Sequence, residues 1–348
     1  ALPTGDAREA LWAEALPTLA VADAASLYRV GVGSIRRIAA RTQLRATLGD
    51  GALDRAALAD AVRVEFETDL GALATRREVT QTWDDLVLPS ETMRSVRELI
   101  AQHRHRSTVL GRWGFQRKLG CGSGTTALFS GGPGTGKSMV AGLIARELGL
   151  DLYQVDLSRV LSKWLGESEK QLGRLLDAAE TGHVMLLFDE ADALLSRRTV
   201  DPKSSNDRYA NVETNYLLAR LEAFHGLAIL TSNLESSIDP ALSRRLSFDL
   251  RFGFPDEEQR ARMWRQMLPA ELPLAEPLDV ELLARRFELA GGHIRNVLLR
   301  AAYLAVADGA LAMAHVLRAA EAEYADRGIL VAGGQAVRAD GGGAADRD

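Results

Sequence analysis

The run Gly131-Gly-Pro-Gly-Thr-Gly-Lys-Ser138 constrains this chain more than any other feature. It fits G-x-x-x-x-G-K-[ST] and lies between a short apolar run, Ala127–Ser130, and a helix-patterned segment, Met139–Leu148. Glycines let backbone N–H groups turn inward around a phosphate, and the following helix adds its positive end. In this reading Gly132, Pro133, Gly134, Thr135, Gly136, Lys137, Ser138 and Met139 cradle a nucleotide. Lys137 reaches the β- and γ-phosphates, and the Ser138 hydroxyl helps hold Mg²⁺. A chance Gly-rich turn is the competing reading; the strand before and the helix after argue against it.

A second element follows at Val184-Met-Leu-Leu-Phe188-Asp189-Glu190. A buried strand delivers two carboxylates to its C-terminal end, where open parallel sheets bind ligands. Asp189 belongs in the magnesium shell, and Glu190 is placed to polarise the attacking water. Alone, an Asp-Glu pair after an apolar strand says little. About 50 residues beyond a phosphate loop it gains force, because the two motifs are expected to meet on neighbouring strands.

The central pattern alternates short strands with amphipathic helices, as in a parallel α/β sheet. Further strands are expected at Leu152–Val155, Leu227–Leu230 and Phe248–Phe252, with helices at Glu169–Ala179 and Val212–Phe224. After Pro255 helical periodicity dominates to about Tyr324. Residues 331–348 are rich in Gly, Ala and Asp, a composition that implies no ordered structure.

The helical region has an internal echo. Trp12-Ala-Glu-Ala-Leu-Pro17 resembles Trp264-Arg-Gln-Met-Leu-Pro269, and Tyr28–Arg36 resembles Phe287–Arg295. Asp50-Gly-Ala-Leu53 recurs as Asp308-Gly-Ala-Leu311, in nearly the same register. Coincidence between two Ala/Leu-rich segments is the bland reading. The sharper one makes residues 1–73 a second small helical domain of the kind at 257–324.

Bulk properties exclude several classes. The 348 residues carry a net charge of -5, so nucleic-acid binding has no general electrostatic support. The basic stretch His103–Arg106 reads as a solvated helix face. Cys121 is the only cysteine, which forbids an internal disulfide and suits a reducing compartment. No apolar run approaches the ~20 residues of a membrane helix, so a soluble, cytoplasmic protein with no membrane partner is expected. The first residue is Ala rather than Met, which suggests a piece of a longer chain. There is no H-E-x-x-H, no Cys/His metal spacing and no nucleophile-elbow serine.

Trp83 to Ala305 resembles the ATPase module of AAA proteins, through the loop 131–138, Asp189-Glu190, Thr231-Ser232-Asn233 and Ile238-Asp-Pro-Ala-Leu-Ser-Arg244-Arg245. The resemblance implies a phosphate-loop α/β fold: a parallel five-stranded sheet with helices on both faces, then a C-terminal helical lid. It divides the chain into a lid-like domain 1–73, an ATPase core 74–253, a lid 254–330 and a tail 331–348. It implies ATP and Mg²⁺ as cofactors and a homo-oligomeric ring, of six subunits, acting on protein.

By the same resemblance Asn233 is the polar sensor beside the γ-phosphate, and Arg244 and Arg245 are arginine fingers completing a neighbour's site. Ser247 stands where many relatives carry a further Arg, which leaves open which guanidinium acts. Gly291-Gly-His-Ile-Arg295-Asn296 opens a lid helix; His293 falls nearest the second sensor, and Arg295 is the other candidate. Trp83–Leu88 resembles the segment that covers the adenine. Lys163, Trp164 and Leu165 resemble the first pore loop of katanin-like and spastin-like relatives, where an aromatic grips an extended polypeptide. Trp164 buried in a core is the alternative.

The stretch Asp207–Leu218 with Ala228–Asn233 resembles a bacterial subgroup, some of it found with phage-tail-like contractile injection systems and carrying two modules, the first degenerate. Two other functions stay open: a slowly hydrolysing assembly scaffold, and a DNA-linked loader that the acidic balance disfavours.

Overall fold

The computed structural model describes residues 3, 5–17, 28, 30–48, 53–70, 73–119, 124–160, 167–182, 184–192, 216–217, 219–234, 246–327, 329–332 and 335–338. Among the described residues three helices come first: α1 (Gly5–Ala15), α2 (Val32–Leu48) and α3 (Arg55–Leu70). Strand β1 (Ala74–Arg77) leads through α4 (Ser90–Arg106) and a π-helical stretch, Ser107–Arg112, to α5 (Phe115–Leu119). Next come β2 (Thr125–Gly131), α6 (Lys137–Leu148), β3 (Asp151–Val155), α7 (Leu157–Val160), α8 (Glu167–Gly182) and β4 (Val184–Phe188). Strands β5 (Leu227–Ser232) and β6 (Phe248–Phe252) precede α9 (Glu257–Gln266), α10 (Val280–Arg286), α11 (Gly291–Ala305) and α12 (Met313–Asp326). A hairpin closes the described chain, β7 (Ile329–Ala332) with β8 (Gln335–Arg338).

The sheet has six strands in the order β1-β3-β4-β5-β2-β6, one more than the expected five. The β2–β5, β4–β5 and β3–β4 pairs are parallel, whereas β1 runs antiparallel along β3. Every residue of β2, β4 and β5 is buried, as in strands covered on both faces, and β4 is an unbroken apolar run. The phosphate-loop strand β2 and the carboxylate strand β4 are not neighbours, contrary to the expectation. Strand β5 lies between them, pairing Phe129 with Thr231 on one side and Phe188 with Leu230 on the other. Parallel strands need long crossovers, so sequence order leaves adjacency undetermined.

Packing divides the chain into two compact units. The first comprises Ala1–Thr80, Ser95–Ser130 and Ala141–Leu250. In it the N-terminal helices share one apolar core with the sheet: Trp12, Leu16, Ile35 and Ile38 belong to the same buried cluster as Leu175, Leu186 and Phe188. Helix α3 packs on α8, and Arg63 reaches Asp151 at 3.0 Å. Arg76 of β1 bonds the other oxygen of that carboxylate at 3.0 Å. Tyr28, half-buried near Asp151, has its phenol pushed above the usual range, first by burial and then by that negative charge.

The second unit gathers Gln81–Arg94, Gly131–Val140 and Arg251–Asp348. Its core is helical, built on Trp264, Leu283, Phe287, Ile294, Val297 and Ala301, with Val87 packed among them. Asp256 caps α9 by accepting from Gln259 N at 2.8 Å, and Asp279 caps α10 by accepting from Leu282 N at 2.9 Å. Tyr324 meets Phe287 edge-on at 5.4 Å, and its hydroxyl accepts from the Glu288 amide. Within the tail expected to lack order, 331–332 and 335–338 belong to the β7–β8 hairpin. The apolar Ile329-Leu-Val run supplies the strand propensity that Gly and Asp content concealed.

The helices of 5–70 and 257–326 correspond closely. Trp12 and Trp264 are both fully buried, with the indole N–H of each lacking a partner. Arg8 donates to Pro3 O at 3.3 Å, and Arg260 donates to Pro255 O at 2.7 Å, the same five-residue span. Ile35 and Ile38 on α2 are buried as Ile294 and Val297 are on α11, while Ala61 and Val62 on α3 match Ala319 and Ala320 on α12.

Candidate nucleotide site

The phosphate loop lies in the second unit. Gly131, Gly134 and Gly136 take φ of 148°, 76° and 96°, conformations that side-chain-bearing residues rarely adopt. Lys137 folds back beneath the loop, its buried ammonium donating to Gly131 O at 2.7 Å and Gly132 O at 2.8 Å. Thr135 Oγ1 donates to Gly132 O at 2.9 Å. Lys137 and Ser138 open α6, so the loop leads directly into a helix N-terminus. Ser138 is exposed, Met139 and Gly132 are half-buried, and Pro133 and Gly134 face solvent.

The opening turn of α11 sits on this loop. Gly292 N donates to Gly134 O at 3.0 Å, and a Cβ on Gly292 would fall 3.0 Å from Gly134 Cα. His293 follows immediately and is held by Glu323 of α12, with Nδ1 and Oε1 2.7 Å apart. Arg295 is exposed. Thus His293 stands beside the loop-bearing turn and Arg295 two residues beyond it. From the other side Leu86 approaches Gly136, at 3.7 Å from where a Cβ would stand. The short turn Trp83–Asp85 before Leu86 is fixed by Asp85, which accepts from Thr82 N at 2.7 Å and Thr82 Oγ1 at 2.9 Å. Those bonds, the backbone one foremost, hold the Asp85 carboxyl below its ordinary range.

The contact yields a first expected outcome. Gly292→Val must push the α11 turn or the phosphate loop aside, a strain of about 1–3 kcal/mol. Fluorescent-nucleotide titration should show ATP affinity falling roughly tenfold, at about 1.4 kcal/mol per decade. Gly253→Ala, where an added Cβ meets nothing within 4 Å, should leave affinity unchanged.

The carboxylate turn lies in the first unit. Asp189 is half-buried and Glu190 exposed, directly after the fully buried β4. Glu190 has φ 54°, the only positive value among the described non-glycine residues. Thr231 Oγ1 donates to Asp189 Oδ1 at 2.6 Å and accepts from Glu190 N at 3.0 Å. Gln154 Nε2 donates to Asp189 Oδ2 at 3.3 Å. Asn233 follows β5, and its amide donates to Asp192 Oδ1 at 2.9 Å, an oxygen that also accepts from Ser232 Oγ at 2.6 Å. Ser247 is stitched to β2, with its amide donating to Thr126 O at 2.8 Å. An open space of about 590 Å³ lies against this turn, lined by Arg76, Arg77, Gln154, Asp156, Asp189 and Glu190 among others.

Sequence reasoning passed over Gln154, Asp192 and Glu323, and it read Thr231 only as part of a motif. For Gln154 the available signal was a polar residue flanked by Tyr153 and Val155 in a strand, where a polar group shielded from water needs a partner. Lys163, Trp164, Leu165, Arg244 and Arg245 lie outside the described residues.

The donor set fits the group the sequence implies. Oxygen donors such as a carboxylate suit a hard divalent cation like Mg²⁺, and within the second unit a glycine loop backed by a lysine suits a polyphosphate. Strand, loop and helix with a carboxylate strand among the parallel strands of one sheet define a phosphate-loop nucleoside-triphosphatase. Residues 127–256 match the family described as ATPase family associated with various cellular activities (AAA). The chain therefore carries an AAA-family ATPase domain.

Among similar proteins, an uncharacterized AAA family ATPase of Sinorhizobium fredii is 32% identical over 224 residues, 63% of this chain and 64% of that protein. An ATP-dependent zinc metalloprotease of Sphaerobacter thermophilus is 32% identical over 201 residues, 56% of this chain and 40% of that protein. The proteasome-activating nucleotidase of Methanopyrus kandleri is 26% identical over 258 residues, 72% of this chain and 57% of that protein. The chain thus spans less than two thirds of the length of these relatives. Among the described residues, no helix is long and apolar enough to cross a membrane.

Proposed function

We propose that this protein hydrolyses ATP with Mg²⁺ in a homo-oligomeric ring and uses the cycle to remodel a protein. The observation that carries the reading is the lid turn seated on the phosphate loop, Gly292 N on Gly134 O. A change of occupancy in that loop bears directly on the lid, which is what a nucleotide-driven motor needs. In this reading Lys137 and the loop hold the phosphates, Ser138 and Asp189 hold the metal, and Glu190 activates water with Asn233 orienting it. His293 senses the nucleotide from the lid, and Leu86 and its neighbours cover the base. Mg²⁺, when bound, neutralises charge developing on the transferred phosphoryl group.

Arg244 and Arg245 are assigned to the neighbouring subunit's site, and Trp164 to the grip on a polypeptide. Support for protein as the substrate comes from the resemblance of 162–167 to a pore loop, and from relatives whose names include a proteasome-activating nucleotidase. The correspondence between 5–70 and 257–326 supports reading the N-terminal helices as a second lid, belonging to a preceding module.

The test is ATP turnover per subunit against protein concentration. Specific activity should climb as subunits assemble, and Arg244→Ala/Arg245→Ala should lower the plateau about 10³-fold or more. An unfolded polypeptide should stimulate the parent chain and not Trp164→Ala. Turnover independent of concentration and indifferent to both arginines would dismiss the ring reading. Robust nucleotide binding without turnover would point to a scaffold.

A further inference from the structure

A line of hydrogen bonds crosses four strands at the carboxyl edge of the sheet and ends on the turn that bears Asp189 and Glu190. It begins at Arg77 on β1, whose Nε donates to Gln154 Oε1 at 2.5 Å. Gln154, on β3, donates from Nε2 to Asp189 Oδ2, and Thr231, on β5, donates to Asp189 Oδ1. All of these residues belong to the first compact unit.

We propose that Thr231 and Gln154 are positioning residues for ATP hydrolysis, clamping Asp189 and Glu190 in their working geometry, with Arg77 setting Gln154. The inference rests on the roles given above to Asp189 and Glu190.

Thr231 acts through three bonds at once. Its side chain is buried, so the hydroxyl has one geometry to satisfy rather than a choice of waters. A hydroxyl has one proton and two lone pairs. The proton goes to Asp189 Oδ1 at 2.6 Å and a lone pair takes Glu190 N–H at 3.0 Å. The Thr231 carbonyl then accepts from Ala191 N at 2.8 Å. Three consecutive residues of the turn are therefore bound to one residue of β5. That matters because Glu190 sits at φ 54°, a left-handed conformation costly for a residue with a side chain and stable only when its surroundings impose it.

Gln154 fixes the second carboxylate oxygen. A terminal amide can present either end, but the Arg77 guanidinium only donates. With Oε1 committed to Arg77, the Gln154 NH₂ is the end that faces Asp189. A donor on each oxygen arrests rotation of the carboxylate. Register makes this possible: Gln154 pairs with Leu187 and Phe188 with Leu230, so Thr231 and Gln154 flank the residue after β4.

The test compares Thr231→Val, which keeps the shape and removes the hydroxyl, with Thr231→Ser, which restores it, and with Gln154→Leu and Glu190→Gln. In the full chain, Thr231→Val should lower kcat about 10–100-fold, the scale of losing a partner that orients a metal-binding carboxylate. Its nucleotide Kd should stay within about threefold, because the phosphate loop is untouched. Thr231→Ser should return kcat to near the parent value, and Gln154→Leu should raise the Mg²⁺ concentration needed for half-maximal turnover. An inactive Glu190→Gln together with a fully active Thr231→Val would overturn the inference alone. An active Glu190→Gln would overturn the reading beneath it as well. Should Thr231→Val fail to fold by circular dichroism, Gln154→Leu decides: unchanged kcat and Mg²⁺ dependence overturn the clamp, and a raised Mg²⁺ requirement at unchanged nucleotide Kd supports it.

Discussion

A Glu190→Gln chain should bind ATP as tightly as the parent and turn it over at least about 100-fold more slowly, the scale of a removed general base. The substitution keeps the side chain's length and hydrogen-bonding reach while removing its basicity. The phosphate loop has bonds of its own: Lys137 bonds Gly131 and Gly132, and Gly134 bonds Gly292. The backbone at Glu190 should also survive, because Thr231 holds its N–H and that bond is indifferent to the side chain. Single-turnover hydrolysis and equilibrium nucleotide binding separate the two effects. Loss of binding in step with turnover would make Glu190 structural. Retention of turnover would place the base elsewhere, with Asp192, two residues along the chain, the carboxylate to try next.

What the sequence disclosed and what it hid divide along the range of the interactions. The phosphate loop was legible because its signal is local: glycines at fixed offsets, a lysine, and a helix beginning at Lys137. Strand β4 was legible because burial on both faces leaves an unbroken apolar run, and β2 and β5 through the shorter apolar runs inside them. Strand β1 was not, since three of its four residues are exposed and only Ala74 is buried. Such short, charged strands are how a sheet edge avoids pairing with other chains, and that composition reads as a loop. Its position beside β3, and β5 between β2 and β4, are facts of pairing across long separations.

The same limit explains the side chains that were missed. Thr231 and Asp189 are 42 residues apart, and Gln154 and Asp189 are 35 apart. No pattern of spacing announces either pair. His293 was found from its motif, whereas its partner Glu323 lies a helix away. The echo between 5–70 and 257–326 shows the converse. Weak likeness in letters sits on close likeness in helix length, buried positions and even one arginine–carbonyl bond, because a core constrains volume more tightly than identity.

That correspondence supports the largest expected stability effect. Trp264→Ala should destabilise the second unit by about 3–5 kcal/mol, the cost of emptying a site that size. Trp264 is fully buried in a core with Phe287 and Ile294, and the same unit contains Gly131–Val140. Loss of protection in α9 and α11 by hydrogen exchange should therefore be accompanied by weaker ATP binding. Trp12→Ala should cost about as much, since Trp12 is equally buried and its ring meets that of Tyr28 at a tilt, centroids 6.5 Å apart. Its loss of protection should appear in α1 and α2 and spread into α8, because those helices share one apolar cluster. Each indole N–H is already without a partner, so Trp→Phe at either site gives up area but relieves an unpaired donor, and should be much milder. If Trp12→Ala cost less than about 1 kcal/mol while Trp264→Ala unfolded its unit, the two helical segments would not be equivalent cores. The reading of 5–70 as a second lid would then fall, with the ATPase assignment untouched. Similar penalties at both tryptophans would mean that the N-terminal helices retain a lid's core, and that this core is tied to the sheet carrying Asp189 and Glu190.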